Sequence, residues 1–414
     1  MRPRLLARAL AVMIVGTLAA SFAHAQNADL ELRGGATPPS GTVVRCTAEG
    51  VVVVSSVTGE TTIGWDRVRA VRGEHVEEAD AYKDVADQAW RAVSRLARGD
   101  VPAAEPIFEE LFVEYAGQRG PTSAAISGGL LRCRLARGAH TLAVGAWLAW
   151  LHASAGEQPA GLNIDHGLGA LPLTDAATGL APELPPIWLG LPAVRVFGQS
   201  PLRAERYGER EAALAQLYQH AALAESGRSQ PLPRLTSTDP GVRLVWEVVA
   251  AQSRSEPERL AGRRAIEKRL RSEPAAWIDA WLRTALGRSL LHESDPDQQR
   301  RGVIELLRVR VVHQRDAPYL AGLALADAAV TMRALGDERV ASLLRRELLD
   351  TFPSHPATTW EPISLWRPLE TSRAAPSQLR RDPVESARNP ASFLPPAIAS
   401  GPHDTPDPSR SPHG

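Results

Sequence analysis

Three glycines, each followed by the same ladder of side-chain sizes, constrain this chain more than any other feature. Ala104, Phe108 and Leu111 follow Gly99, and at the same offsets Ala143, Trp147 and Trp150 follow Gly138. Gly336 repeats the arrangement with Ala341, Arg345 and Leu348. A small, a large and an apolar residue at helical spacing share one helix face. Upstream of Gly99, Ala86, Trp90, Val93, Leu96 and Ala97 hold the same period, and Gly99-Asp100 stops it. Such a chain is predicted to form helix hairpins, which cannot bury their faces alone and must stack on one another.

The periodicity continues. Val242–Gln252, Pro257–Arg271, Trp277–His292, Gln298–Val312 and Leu320–Leu335 each carry apolar residues on one stripe. Leu282, Leu286, Leu290 and Leu291 form one stripe, and Ile304, Leu307, Val311 and Val312 form another. Asp239-Pro240, Glu256-Pro257, Asp295-Pro296 and Asp316-Ala317-Pro318 stand where these helices begin. Acid followed by proline is a strong start signal, because a first-turn residue needs no backbone donor.

The glycine-anchored offsets resemble the second half of a tetratricopeptide repeat. The resemblance implies an α-solenoid in which glycine permits close helix crossing and alanine lets hairpins pack. The chain departs from the family where Arg345 replaces the aromatic. The step from Gly99 to Gly138 is also longer than the family's unit of roughly 34 residues.

Residues 41–72 have different chemistry. Val43-Val44-Arg45-Cys46, Val51-Val52-Val53-Val54 and the alternation of Thr61, Ile63 and Trp65 are separated by Glu49-Gly50 and Thr58-Gly59-Glu60. β-branched runs between glycine turns predict a meander of short strands, with Val68 and Val71 closing a fourth. The pattern resembles small SH3-like barrels, with Trp65 as a core plug. The fold class is therefore mainly α: a helix-hairpin repeat array (α-solenoid, tetratricopeptide-like) preceded by a small antiparallel β domain, an SH3-like barrel or meander.

Residues 1–25 have the order of a secretory signal: Arg2, Arg4 and Arg8, an apolar run from Ala9 to Phe22, then Ala23-His24-Ala25 before Gln26. Cleavage after Ala25 and a periplasmic or secreted location are expected, without membrane insertion once the signal is removed. The expected partition is a signal at 1–25, a linker at 26–40, a β domain at 41–74, helical regions at 79–155 and 201–366, and a Pro/Gly-rich ordered excursion at 156–200. A proline-rich tail at 372–414 is expected to be disordered. The excursion centres on Leu180-Ala181-Pro182-Glu183-Leu184-Pro185-Pro186-Ile187-Trp188, whose apolar residues need burial.

Charge excludes one class of partner. The formal net charge is +0, so no long-range field gathers nucleic acid. Lysine occurs only at Lys83 and Lys268, and arginine supplies the rest of the basic residues, a usage that fits a GC-rich bacterial genome. Cys46 and Cys133 are the two cysteines; they read as small apolar residues, with a disulfide as the alternative.

No catalytic, cofactor-binding or metal-ligating residue is assigned, and no cofactor is implied. His292-Glu293 lacks the second histidine of a zinc helix, because Pro296 occupies its place. Asn163, Asp165, Asp175, Asp295 and Asp297 lack the spacing of a calcium loop, and Asp295 and Asp297 suit helix capping. Gly167-Leu168-Gly169 has no flanking strand and helix. Cys133 and His140 fall on different helix faces, and Glu77-Glu78 and Glu109-Glu110 read as solvated acids. Trp277 and Trp281 share one face, as core or as an aromatic platform. The expected function is an exported interaction or scaffold protein of the cell envelope that binds a protein or peptide partner through a repeat groove. An envelope hydrolase with a site near 159–200 and a structural spacer are the alternatives.

Overall fold

Valines 51–54 sit at the centre of the N-terminal sheet. The computed structural model describes residues 29–155, 173–200, 202, 206–228 and 230–366. The signal sequence, the first part of the excursion and the tail lie outside the described residues. Strands β2 (Thr42–Thr47), β3 (Gly50–Ser55) and β4 (Gly59–Ile63) form an antiparallel meander in that order. Val51 stands opposite both Cys46 and Ile63. Gly50 is required by space: a Cβ there would lie 2.0 Å from the Ile63 carbonyl oxygen.

The fourth strand pairs elsewhere. β5 (Val68–Val71) runs antiparallel to β1 (Leu30–Leu32), which lies in the segment expected to be a linker. The two sheets do not close into one barrel. The burial of Leu30 and Leu32 against Val68 and Val71 explains why this short segment is ordered. Trp65 is 1% exposed, donates Nε1–H to the Thr47 carbonyl at 2.8 Å and stacks on Tyr82. It is a core plug.

Fourteen α-helices follow among the described residues: α1 (Val76–Asp80), α2 (Lys83–Ala97), α3 (Val101–Tyr115), α4 (Pro121–Ala136), α5 (His140–Ser154), α6 (Pro192–Gln199) and α7 (Glu209–Glu225). The second half holds α8 (Pro240–Ala251), α9 (Glu256–Leu270), α10 (Ala276–Leu291), α11 (Pro296–Val312), α12 (Pro318–Ala334), α13 (Glu338–Thr351) and α14 (Glu361–Ser364). Each helix from α2 to α13 packs on its neighbour in sequence, and α2–α4, α5–α7, α8–α10 and α10–α12 also touch. That alternation is the signature of a stacked hairpin array.

The repeat glycines act at helix ends rather than at crossings. Gly99, Gly138 and Gly336 have φ of +78°, +75° and +85°, the left-handed region that an L side chain resists. At each, the glycine N–H and the following N–H bond back to the last helical turn: Gly99 to Leu96 O and Asp100 to Arg95 O, both within 3.0 Å. This is the Schellman stop. Gly227 ends α7 in the same way, with Arg228 N–H bonded to Leu223 O. A Cβ at Gly99 or Gly336 would meet nothing within 4 Å, so close crossing is not their role.

Other glycines provide the close approaches. A Cβ at Gly129 would stand 2.2 Å from the Phe108 ring, and one at Gly302 would stand 2.7 Å from the Gly287 carbonyl. The Gly287–Gly302 contact also rotates α11 relative to its expected stripe. Val303, Leu306 and Val309 face inward, while Ile304 is 52% and Val311 78% exposed. The small-residue positions follow the sequence: Ala104, Ala143 and Ala341 are all fully buried. Two acid–proline starts act as caps, since Asp239 accepts from Val242 N–H and Asp295 from Asp297 N–H.

One half-buried carboxylate joins the β strands to the array. Glu49, in the β2–β3 turn, accepts the Ser123 N–H at 3.0 Å and pairs with its hydroxyl, capping α4 across a long sequence separation. Thr122 donates its hydroxyl to the Glu49 carbonyl at 2.8 Å and accepts the Trp65 N–H at 2.9 Å. Burial pushes the Glu49 carboxyl above its ordinary range, against the lowering effect of the Ser123 and Thr122 bonds.

Two substitutions separate the glycine roles. Gly336→Ala has free space and only the left-handed backbone to strain, so it should destabilise by about 1–2 kcal/mol. Gly129→Ala must displace Phe108 and should cost about 3 kcal/mol or more in denaturant unfolding. Equal losses would contradict this division.

Candidate functional site

The excursion supplies the centre of the array. Leu180, Leu184, Ile187, Trp188 and Leu189 are all at most 1% exposed. Each such side chain contributes roughly 1.5–3 kcal/mol of burial, so this segment is core. Residues 180–189 contain no helix or strand, and Pro192 then starts α6, a helix not expected from the sequence. The segment's own carbonyls therefore have no secondary-structure ladder to satisfy them, and buried carbonyls need donors.

Side chains from several helices meet that need. Trp147 of α5 donates Nε1–H to Gly179 O at 3.4 Å, and Trp281 of α10 donates to Pro182 O at 2.9 Å. The Tyr218 hydroxyl of α7 donates to Leu184 O at 2.5 Å. Gln252, at the end of α8, donates to Pro186 O at 3.4 Å, and the Tyr319 hydroxyl of α12 donates to Ile187 O at 3.0 Å. Arg288 of α10 completes the series at Trp188 O, 2.8 Å away. Pro182, Pro185 and Pro186 have no N–H, so this stretch presents mainly acceptors to a surface of donors.

Arg288 is the electrostatic centre of the arrangement. Its guanidinium pairs with Glu225 of α7 at 2.9 Å and Asp327 of α12 at 3.0 Å, and also donates to the Gln252 side chain. Burial opposes its charge, but Asp327 and Glu225 together hold it above its ordinary pKa. One arginine serves two acids. Burial, assisted by the Glu225 charge and opposed by Arg288, pushes Asp327 up to about 6.

Beside this segment lies a partly open cavity of about 390 Å³. The α4–α5 turn, the excursion, the start of α12 and residues 351–356 meet around it. His140 stacks on Tyr319 with ring centroids 3.9 Å apart, and His355 lies 5.4 Å from the same ring. The His140 Nδ1–H donates to Gly138 O at 3.0 Å, and His355 donates Nε2–H to Tyr319 O at 2.8 Å. Burial pushes both imidazoles down to about 4, so they are neutral near pH 7. Arg137 and Glu183 bring opposite charges to the lining.

The residues weighed from sequence have other roles. Trp281 is fully buried and meets Trp277 edge to face at 5.1 Å, so it is core and a donor to the excursion. Cys46 and Cys133 are free thiols. Burial raises Cys46 to about 11 and Cys133 to about 12, which leaves neither as a thiolate near neutral pH. Glu293 pairs with Arg263 and Arg259. Asp175 accepts the N–H and hydroxyl of Thr178 in a local turn. Glu78 accepts the Cys46 N–H at 2.9 Å, and Glu109 pairs with Arg134. Asn163, Asp165 and Gly167–Gly169 lie outside the described residues. Among the described residues, no three histidine, cysteine or carboxylate side chains are grouped to hold a metal. No described helix is long and apolar enough to cross a membrane.

The Arg288–Glu225–Asp327 cluster and the Tyr319–His140–His355 rings were not marked in the sequence. Their members lie far apart along the chain, and no local spacing connects them. No protein-family model matches the chain, and no curated protein or solved structure shows significant similarity to it.

Two measurements test this arrangement. Arg288→Met leaves the buried Asp327 and the half-buried Glu225 without their partner and should destabilise by about 3–5 kcal/mol. For Asp327, the folded state holds the proton more tightly than the unfolded chain. Its contribution is complete below the ordinary value of 3.8 and is lost as pH rises through about 6. Wild-type stability relative to Asp327→Asn should therefore fall across that window and level off above it; a gap constant with pH would contradict the assignment.

Proposed function

We propose that this chain is an exported interaction or scaffold protein of the bacterial cell envelope that holds a protein or peptide partner. Export, to the periplasm or beyond, rests on the ordered charge, apolar run and small-residue site of residues 1–25. The interaction reading rests on one observation. Side chains from four helices, and from Gln252 at the end of a fifth, donate to six carbonyls of a non-helical, proline-containing segment between Gly179 and Trp188. This face is chemically suited to holding main chain, and in this protein its occupant is supplied in cis. A partner is then taken at the remaining surface, with the adjoining cavity as the leading position.

The spacer reading draws on the same packing, since a segment packed among the helices stiffens the array. Affinity capture separates the two. Tagged full-length protein, produced with its native signal, is expected to retain a reproducible partner from envelope extracts, and tagging that partner should recover this chain. Reproducible failure in both directions would overturn the interaction reading in favour of the spacer. N-terminal sequencing of the exported protein should begin at Gln26; retention of Met1 would overturn cleavage.

A further inference from the structure

We propose that the cavity beside Tyr319 binds a proline-rich, uncharged peptide segment of a partner, next to the chain's own excursion. This rests on the interaction reading and specifies its ligand. Tyr319 links the two: its hydroxyl holds Ile187 O of the excursion, while its ring lines the cavity. Pro182 and Pro185 of the same segment are also in the cavity wall. The cavity therefore continues an interface at which aromatic donors already receive a proline-containing chain.

The lining chemistry selects the class of ligand. Pro318, Pro353 and Pro356 join Pro182 and Pro185, and Phe352 adds a further ring. The pyrrolidine faces and the Phe352 ring suit proline rings, which pack on such grooves with little ordering entropy left to lose. Inside, His140 and His355 are neutral near pH 7 because both are buried. Arg137 is paired with Glu105 and Glu183 carries the opposite charge, so the lining has no unbalanced positive charge for an anionic ligand. The Arg137 side chain, held through Nε by Glu105 at 2.7 Å, has further guanidinium N–H groups of the kind that bind proline-peptide carbonyls. A volume of about 390 Å³ admits a few residues and excludes a folded element.

The test uses full-length protein and fluorescein-labelled decaproline, with a glycine–serine decamer as control. Ser354 is exposed and lines the cavity, so Ser354→Trp fills the site without entering the core. Fluorescence anisotropy should report micromolar binding of decaproline, no binding of the control, and affinity reduced about tenfold or more in Ser354→Trp. Thermal unfolding checks that the variant is folded. Absence of decaproline binding, or equal binding to a folded Ser354→Trp, overturns the assignment. A captured partner that lacks proline-rich segments and ignores Ser354→Trp would leave the interaction reading standing and remove only this one.

Discussion

The carbonyls between Gly179 and Trp188 must be satisfied away from water, and the array is organised around that requirement. Three prolines deny this stretch a backbone ladder, and its leucines, Ile187 and Trp188 draw it into the interior. Apart from the Leu184 N–H, which bonds Ala181 O within the segment, the donors come from outside it. They come from Trp147, Tyr218, Gln252, Trp281, Arg288 and Tyr319, residues on α5, α7, α10 and α12 and at the end of α8. A single segment thus ties together helices far apart in sequence. An unmade bond to a buried carbonyl costs about 1–3 kcal/mol, so the series acts collectively on the packing of the whole stack.

The Arg288 cluster extends the same logic. Its guanidinium joins the end of the segment to α7, α8 and α12 at one point. Two acids for one cation make the cluster favourable only while Arg288 is present. Repeat arrays commonly recruit partners along one extended face; in the proposed interaction role, that surface is the cavity where the α4–α5 turn meets the start of α12.

Much of the helical architecture was legible in the sequence. Asp239-Pro240 and Asp295-Pro296 marked true starts, and the ends of the five later helices fell within a few residues of their expected positions. Ala104, Ala143 and Ala341 were correctly readable as packing positions because small buried residues follow directly from helical spacing. The glycines were less transparent. A glycine is equally compatible with a left-handed stop and with a close crossing, and only the backbone at Gly99, Gly138 and Gly336 distinguishes them. The α11 stripe was displaced because Gly302 on Gly287 sets the rotation, a tertiary effect that periodicity does not carry. β1 escaped notice because three residues give no period, and Val68–Val71 pairs with it across nearly forty positions. The excursion was readable as ordered, from Leu180 to Trp188, but its donors were not, since each lies on a different helix.

Native-state hydrogen exchange tests the central claim most directly. If residues 180–189 are an integral part of the array, their amides exchange only through global unfolding, with the same free energy as the slowest amides of α10 and α12. Exchange of this segment at a distinctly lower free energy, with α10 and α12 still protected, would show a detachable flap and contradict the account.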